Sequence, residues 1–245
     1  MIDPTRRLWT LLSRSVTVWC LSAMFAASLT AAEEPTPHEQ APAGEKQQRL
    51  FEATSHRSFA DVDYWQPVFE DPAREKWQKP AEVVDALRLR SGMCVADLGA
   101  GTGYFLPYLS KAVGEKGCVL ALDPEPNLVV HVRARAEEAG WRNVTPVLVS
   151  FDDPRLPDAS VDLVLIVDTF HHLDDRLSYL RRLRRALKPG GRVAIVDWFK
   201  RPLPEGPPPE HKLAREQVVQ EMNAAGYELS EEPAILPYQY FLIFR

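Results

Sequence analysis

Val95-Ala96-Asp97-Leu98-Gly99-Ala100-Gly101-Thr102-Gly103-Tyr104-Phe105 runs from a short apolar segment, through glycine at every second position, into a helical pattern. Glycines at such a junction permit a tight turn and let a ligand approach the backbone, while the helix N-terminus offers free N–H groups. A turn of this kind is shared by many nucleotide-binding proteins, so its details matter. The dinucleotide spacing requires a further glycine, and Tyr104 or Leu106 stands at the required place in either frame. Asp97, two residues ahead of Gly99, sets a carboxylate where it can accept a hydrogen bond from a cationic, amino-acid-like ligand.

Outward from this turn, apolar runs and amphipathic segments alternate. Met93 to Leu98, Cys118 to Leu122, Val144 to Val149, Val161 to Val167 and Arg192 to Asp197 read as strands. Pro80 to Leu89, Phe105 to Val113, Leu128 to Ala139, Arg176 to Leu187 and His211 to Ala225 read as helices. Continuous apolar strands separated by helices indicate a parallel sheet covered on both faces. Tyr227-Glu228-Leu229 and Tyr240 to Phe244 read as a closing pair of strands. Arg181, Arg182, Arg184 and Arg185 flank a Leu177, Leu180, Leu183, Leu187 stripe and read as a solvated helix face. Asp162 reads as structural.

The N-terminal part is of another character. Arg6, Arg7 and Arg14 precede the apolar run Ser15 to Leu29, and Thr30-Ala31-Ala32 offers small residues for cleavage, the order of an export signal. Residues 1–32 are therefore expected to be a signal peptide or membrane anchor. Residues 33–48 read as a flexible linker, and residues 49–79, with Phe59, Tyr64, Trp65, Phe69 and Trp77, as a helical cap. Residues 80–245 form the main domain. The chain carries a net charge of -5, and its first 32 residues carry Asp3 against three arginines, so the remainder is more acidic still. Such a body does not favour nucleic acid as a partner. Cys94 and Cys118 each open a strand and are read as buried thiols rather than a bridge, because a disulfide between neighbouring strands demands restrictive geometry. No metal-ligand spacing appears.

The run DLGAGTGYF resembles the first motif of class I S-adenosylmethionine-dependent methyltransferases, and the similarity extends over roughly residues 81–191. The resemblance implies an α/β, Rossmann-like, doubly wound sheet, mostly parallel, with a closing antiparallel strand and an N-terminal helical cap. It implies S-adenosyl-L-methionine as cofactor, bound by Asp97, Gly99, Ala100, Gly101, Thr102, Gly103 and Tyr104 at the turn. Asp123, ahead of Pro124 and about twenty residues beyond the glycines, matches the acid that holds the ribose hydroxyls. Asp152, rather than Asp153, resembles the acid near the adenine. Leu187-Lys188-Pro189-Gly190-Gly191 matches the family's turn into the fifth strand.

Asp168-Thr169-Phe170-His171-His172 ends the fourth strand, at the edge where open α/β sheets bind ligands. Methyl transfer mainly needs alignment, plus a base where the nucleophile must lose a proton; His171 and His172 are the candidates. No Asn/Asp-Pro-Pro-aromatic run follows this strand, so base amines and glutamine amides lose support as acceptors. The remaining class is a small-molecule O, N or C nucleophile. A non-catalytic, adenosylmethionine-binding or cell-envelope interaction protein is the alternative. An exported domain also stands in tension with a cytosolic cofactor, and any membrane contact is expected only through an uncleaved N-terminal segment.

Overall fold

The computed structural model describes residues 51–245, so the expected signal segment and linker lie outside the described residues. Within this span the chain alternates as the pattern requires. The cap holds helix α1 (Val62–Phe69), a 3-10 turn (Pro72–Arg74) and the short helix α2 (Glu75–Gln78). Then follow α3 (Pro80–Ala86), β1 (Cys94–Leu98), α4 (Leu106–Val113), β2 (Cys118–Asp123), α5 (Pro126–Glu138), β3 (Val144–Leu148) and β4 (Val161–Val167). The chain closes with α6 (Arg176–Ala186), β5 (Leu187–Trp198), α7 (Arg215–Ala224), β6 (Leu229–Glu231) and β7 (Gln239–Phe244).

The strands form one sheet in the order β3-β2-β1-β4-β5-β7-β6. β1 to β5 pair in parallel, and β7 runs antiparallel between β5 and β6. Strand alternation sends Val95, Val119, Leu163, Leu165, Ala194 and Val196 to one face, where Val83, Leu87, Leu106, Leu109 and Val132 cover them. Ala96, Leu98, Val164, Ile166, Val193 and Ile195 go to the other face, under Leu180, Leu183, Val218 and Met222. Helices on both faces of a mostly parallel sheet define the doubly wound arrangement. Its topology reverses at β1, with β2 on one side and β4 on the other, so the crevice at their carboxyl ends is the expected ligand site.

Some expectations are corrected. β5 begins at Leu187 rather than Arg192, because Leu187 pairs with Val161 across a register shift and draws Pro189-Gly190-Gly191 into the strand. The last helix begins at Arg215 rather than His211; Pro209–His211 instead forms a separate 3-10 turn behind a run of prolines. Cys94 and Cys118 are half-buried and joined as a disulfide. They are direct register partners at the start of adjacent strands, with Cα atoms 4.5 Å apart, a separation that permits the bridge. Among the described residues no helix is long and apolar enough to cross a membrane.

Asp162 holds the lower part of the sheet together. Its Oδ2 accepts hydrogen bonds from the Cys94 N–H and from Lys188 Nζ, each at 2.7 Å, tying β4 to β1 and β5. Burial works against its charge, but these two donors outweigh it and hold the carboxyl below its ordinary range. The stability it supplies is thus present above the unfolded carboxyl pKa and lost as pH falls through the depressed folded value. Asp162→Ala is expected to cost about 1–2 kcal/mol at neutral pH, read as a lowered thermal midpoint, with cofactor affinity unchanged.

Candidate active site

The carboxyl ends of the parallel strands bring four acids to one edge of the sheet. Asp97 lies within β1, Asp123 ends β2, Asp168 follows β4 and Asp197 lies near the end of β5. The glycine turn sits between the first two. Gly99 N–H and Ala100 N–H donate to the Leu122 carbonyl at 2.8 and 3.1 Å, and Gly101 N–H donates to Asp123 Oδ2 at 2.9 Å. Gly99 takes a φ of 74°, and a Cβ there would collide with the Thr169 side chain, so only glycine fits. Asp123 Oδ1 also accepts from the Glu125 N–H at 2.9 Å, beyond the bend at Pro124. Its carboxylate is therefore fixed in orientation at the switch point.

Asp97 is 3% exposed and Asp123 5% exposed, and both are pushed up in pKa. Burial raises Asp97 to about 7, with the neighbouring Asp123 adding to the effect and Arg74 opposing it. Burial likewise raises Asp123 to about 6, against the two backbone N–H donors. Asp168, with a φ of 53°, is raised to about 7 by burial and Asp197, against Arg74 and His171. A cationic ligand matches this cluster. It favours the ionised carboxylates, so its affinity is expected to rise as pH climbs through 7 and then level off. Calorimetric titration with S-adenosylmethionine from about pH 6 to about pH 8 reads this directly.

Two buried polar atoms at the turn, Thr102 Oγ1 and Tyr104 Oη, have no hydrogen-bond partner. Buried hydroxyls are normally satisfied, so orphaned ones beside a glycine turn fit a site built for a polar ligand. The residues present suit S-adenosylmethionine: glycines for close approach, Asp123 for a pair of hydroxyls, Asp97 for an ammonium group. Asp152 is exposed in the turn after β3, where its carbonyl accepts from Arg182, while the neighbouring Asp153 is half-buried and binds the Arg155 N–H.

The histidines occupy a 3-10 turn (Phe170–His172) after β4. His171 is 3% exposed, and its Nδ1 lies 2.9 Å from Asp197 Oδ1. Burial disfavours its cationic form, but the Asp197 charge and hydrogen bond outweigh this and raise its pKa. His172 Nδ1 lies 2.9 Å from the Ser55 carbonyl, a contact only a protonated Nδ1 can make, which leaves the lone pair on Nε2. Burial and the adjacent His171 lower its pKa to about 4. The two rings lie 4.2 Å apart, with Phe59 edge-on to His172 at 5.3 Å.

The cap lies over this edge. Trp65 stacks on Phe69 at 5.2 Å, and Phe59 contacts both. The Phe69 ring covers the open side of Gly101. Arg74 lies over the Tyr104 ring at 4.3 Å and reaches Asp168 Oδ2 at 3.4 Å. Asp197, Arg74 and Gln239, which donates to Asp168, were not singled out in the sequence. Asp197 carried a readable signal, since it ends a strand at the same edge as the other acids. Arg74 and Gln239 come from the cap and from β7, and only the tertiary fold brings them there.

A doubly wound sheet with this strand order, a glycine turn lacking the dinucleotide spacing, and acids ending β1 and β2 define a nucleoside-cofactor methyltransferase. Comparison with known proteins agrees. The family described as "Methyltransferase domain" matches residues 95–191. A solved S-adenosylmethionine-dependent methyltransferase from Aquifex aeolicus is 32% identical, with a TM-score of 0.72, and the match covers 77% of this chain and 98% of that one. The chain belongs to the S-adenosylmethionine-dependent methyltransferases, and S-adenosyl-L-methionine is its cofactor. The demethylmenaquinone methyltransferase of Listeria welshimeri is 29% identical over 62% of this chain. A ubiquinone/menaquinone biosynthesis C-methyltransferase of Shewanella is 26% identical over 70% of this chain. The chain spans 62% and 64% of the lengths of these two relatives.

The expectation of an exported or membrane-anchored domain is corrected here. The finding that points against export is the kind of relative matched, a demethylmenaquinone methyltransferase and a ubiquinone/menaquinone biosynthesis C-methyltransferase.

Proposed function

We propose that the chain methylates a carbon or oxygen nucleophile on a small hydroxylated aromatic ring of the hydroquinone class, with His171 accepting the acceptor's proton. The observation that carries this reading is the buried His171–Asp197 pair beside the cofactor edge of the sheet. When bound, S-adenosylmethionine supplies an electrophilic sulfonium methyl group. Asp197 holds Nδ1 of His171, so the neutral ring presents its lone pair at Nε2. A hydroxyl proton passes to that nitrogen as the ring becomes nucleophilic, and Asp197 stabilises the resulting imidazolium. His172, with its pKa near 4, stays neutral and a poor proton acceptor, and serves with Phe59 as a wall for a planar ring. The quinone-biosynthesis relatives and the aromatic cap support the choice of acceptor class.

The test is methyl transfer from labelled S-adenosylmethionine to a short-chain, unmethylated naphthohydroquinone by the full-length chain. Label in the organic product, with stoichiometric S-adenosylhomocysteine, is the expected result. Cofactor binding without transfer to any hydroquinone would reject this acceptor class.

A further inference from the structure

The N-terminal ends of β4 and β5, at the opposite edge of the sheet from the cofactor site, border a cavity of about 370 Å³. The end of α6, the opening residues of β5 and the residues flanking β6 and β7 supply its walls. Arg184, Lys188 and Arg245 line it, and no acidic residue does. That composition stands out in a chain with a net charge of -5. A recess walled by one sign of charge focuses its field on an ion of the other sign.

The fold positions these cations without fully neutralising them. Gly226 has a φ of 90°, and a Cβ there would strike Arg184 Nη1. The guanidinium therefore lies back against the protein, 5.9 Å over the Tyr227 ring. Asp158 pairs with the neighbouring Arg185 instead, at 4.0 Å, and among the described residues no carboxylate lies within ion-pair distance of Arg184. The Arg245 backbone exchanges hydrogen bonds with Glu228 at 2.8 and 2.9 Å. Its side chain comes no closer than 3.8 Å to Glu231, a carboxylate that Arg88 already holds at 2.7 Å. Lys188 is paired with Asp162 at 2.7 Å, a contact that uses one of its ammonium donors. The negative end of the α6 dipole favours a cation in that helix's last turn. It does not account for a lysine from β5 and an arginine from beyond β7 at the same recess.

We propose that this cavity is a second ligand site, which takes a phosphate or diphosphate group between Arg184, Lys188 and Arg245. A guanidinium fork matches phosphate oxygens in geometry as well as charge. A multiply charged anion answers three cations where a single carboxylate would leave two unmatched. Leu187 and the Tyr227 ring add an apolar wall for the body of an ester. A soluble phosphate ester and a phosphate-bearing lipid headgroup offer the same chemistry to these residues. The site shares no residue with the cofactor edge, so it stands apart from the methyl-transfer reading.

The experiment titrates the full-length chain with sodium pyrophosphate by calorimetry, with and without S-adenosylhomocysteine. Saturable binding is expected in both cases. Arg184→Gln and Arg245→Gln should each weaken it by about 5- to 30-fold, the worth of one partly exposed charge-assisted contact. Arg181→Gln removes an equal charge from the same helix outside the cavity, and should leave the affinity within about twofold. S-adenosylhomocysteine affinity is expected to be unchanged in all of these variants. Cosedimentation with vesicles of phosphatidic acid in phosphatidylcholine, against phosphatidylcholine alone, separates the two sources. Sedimentation that depends on Arg184 identifies a lipid headgroup, and pyrophosphate binding without sedimentation identifies a soluble phosphate ester. Absence of both, equal weakening in Arg181→Gln and Arg184→Gln, or displacement of pyrophosphate by S-adenosylhomocysteine would overturn the proposal.

Discussion

Asp123→Ala is expected to weaken S-adenosylhomocysteine binding by roughly 30- to 1000-fold, or about 2–4 kcal/mol, from the loss of two charge-assisted hydrogen bonds. Two effects add. The variant removes the acceptor for a ribose diol, and it releases the Gly101 and Glu125 N–H groups that the carboxylate now holds. The glycine turn loses its anchor to β2 along with its ligand partner. Asp123→Asn separates the contributions, because its single carbonyl oxygen satisfies one N–H and its amide cannot accept from the other. Calorimetry on both variants, with circular dichroism to confirm the fold, provides the reading; unchanged affinity in Asp123→Ala would remove this residue from the site.

The second large effect concerns rate. His171→Asn is expected to lower kcat by about 10²- to 10⁴-fold, the usual worth of a positioned base, while cofactor affinity stays close to that of the unaltered chain. Asp197→Asn tests the pairing separately. Only neutral His171 accepts a proton, so activity rises with pH through the His171 pKa. Asp197 holds that pKa above its ordinary value. In Asp197→Asn the acid limb of the pH–kcat profile therefore moves to lower pH, while the plateau falls because the imidazolium loses its counter-charge. A plateau drop with an unmoved limb would identify Asp197 as packing only. His172, already held neutral well below pH 7, should leave the limb unmoved when replaced by phenylalanine.

The sheet was legible from sequence because its signal is local. Val161-Asp162-Leu163-Val164-Leu165-Ile166-Val167 has the composition of a strand buried on both faces, and it is one. The placement of Asp97 and Asp123 beside the glycine turn was legible for the same reason, since both stand at set distances from it in the sequence. The start of β5 was not, because Pro189-Gly190-Gly191 marks a turn locally and only its pairing with β4 extends the strand. The Cys94–Cys118 bridge depends on strand register, which periodicity does not specify. The cap offered aromatic residues without an order, so neither the Trp65–Phe69 stack nor the reach of Arg74 toward Asp168 follows from spacing. Ser55 binds His172 across 117 residues of chain, a contact with no sequence signature.

The most direct measurement is calorimetric titration of the full-length chain with S-adenosylmethionine, S-adenosylhomocysteine and NADH in parallel. Binding of both adenosyl ligands on the order of micromolar, with no heat from NADH, is the predicted result. Binding of NADH in their place, or no response to either adenosyl ligand from folded protein, would contradict the assignment of the glycine turn and its acids to S-adenosylmethionine.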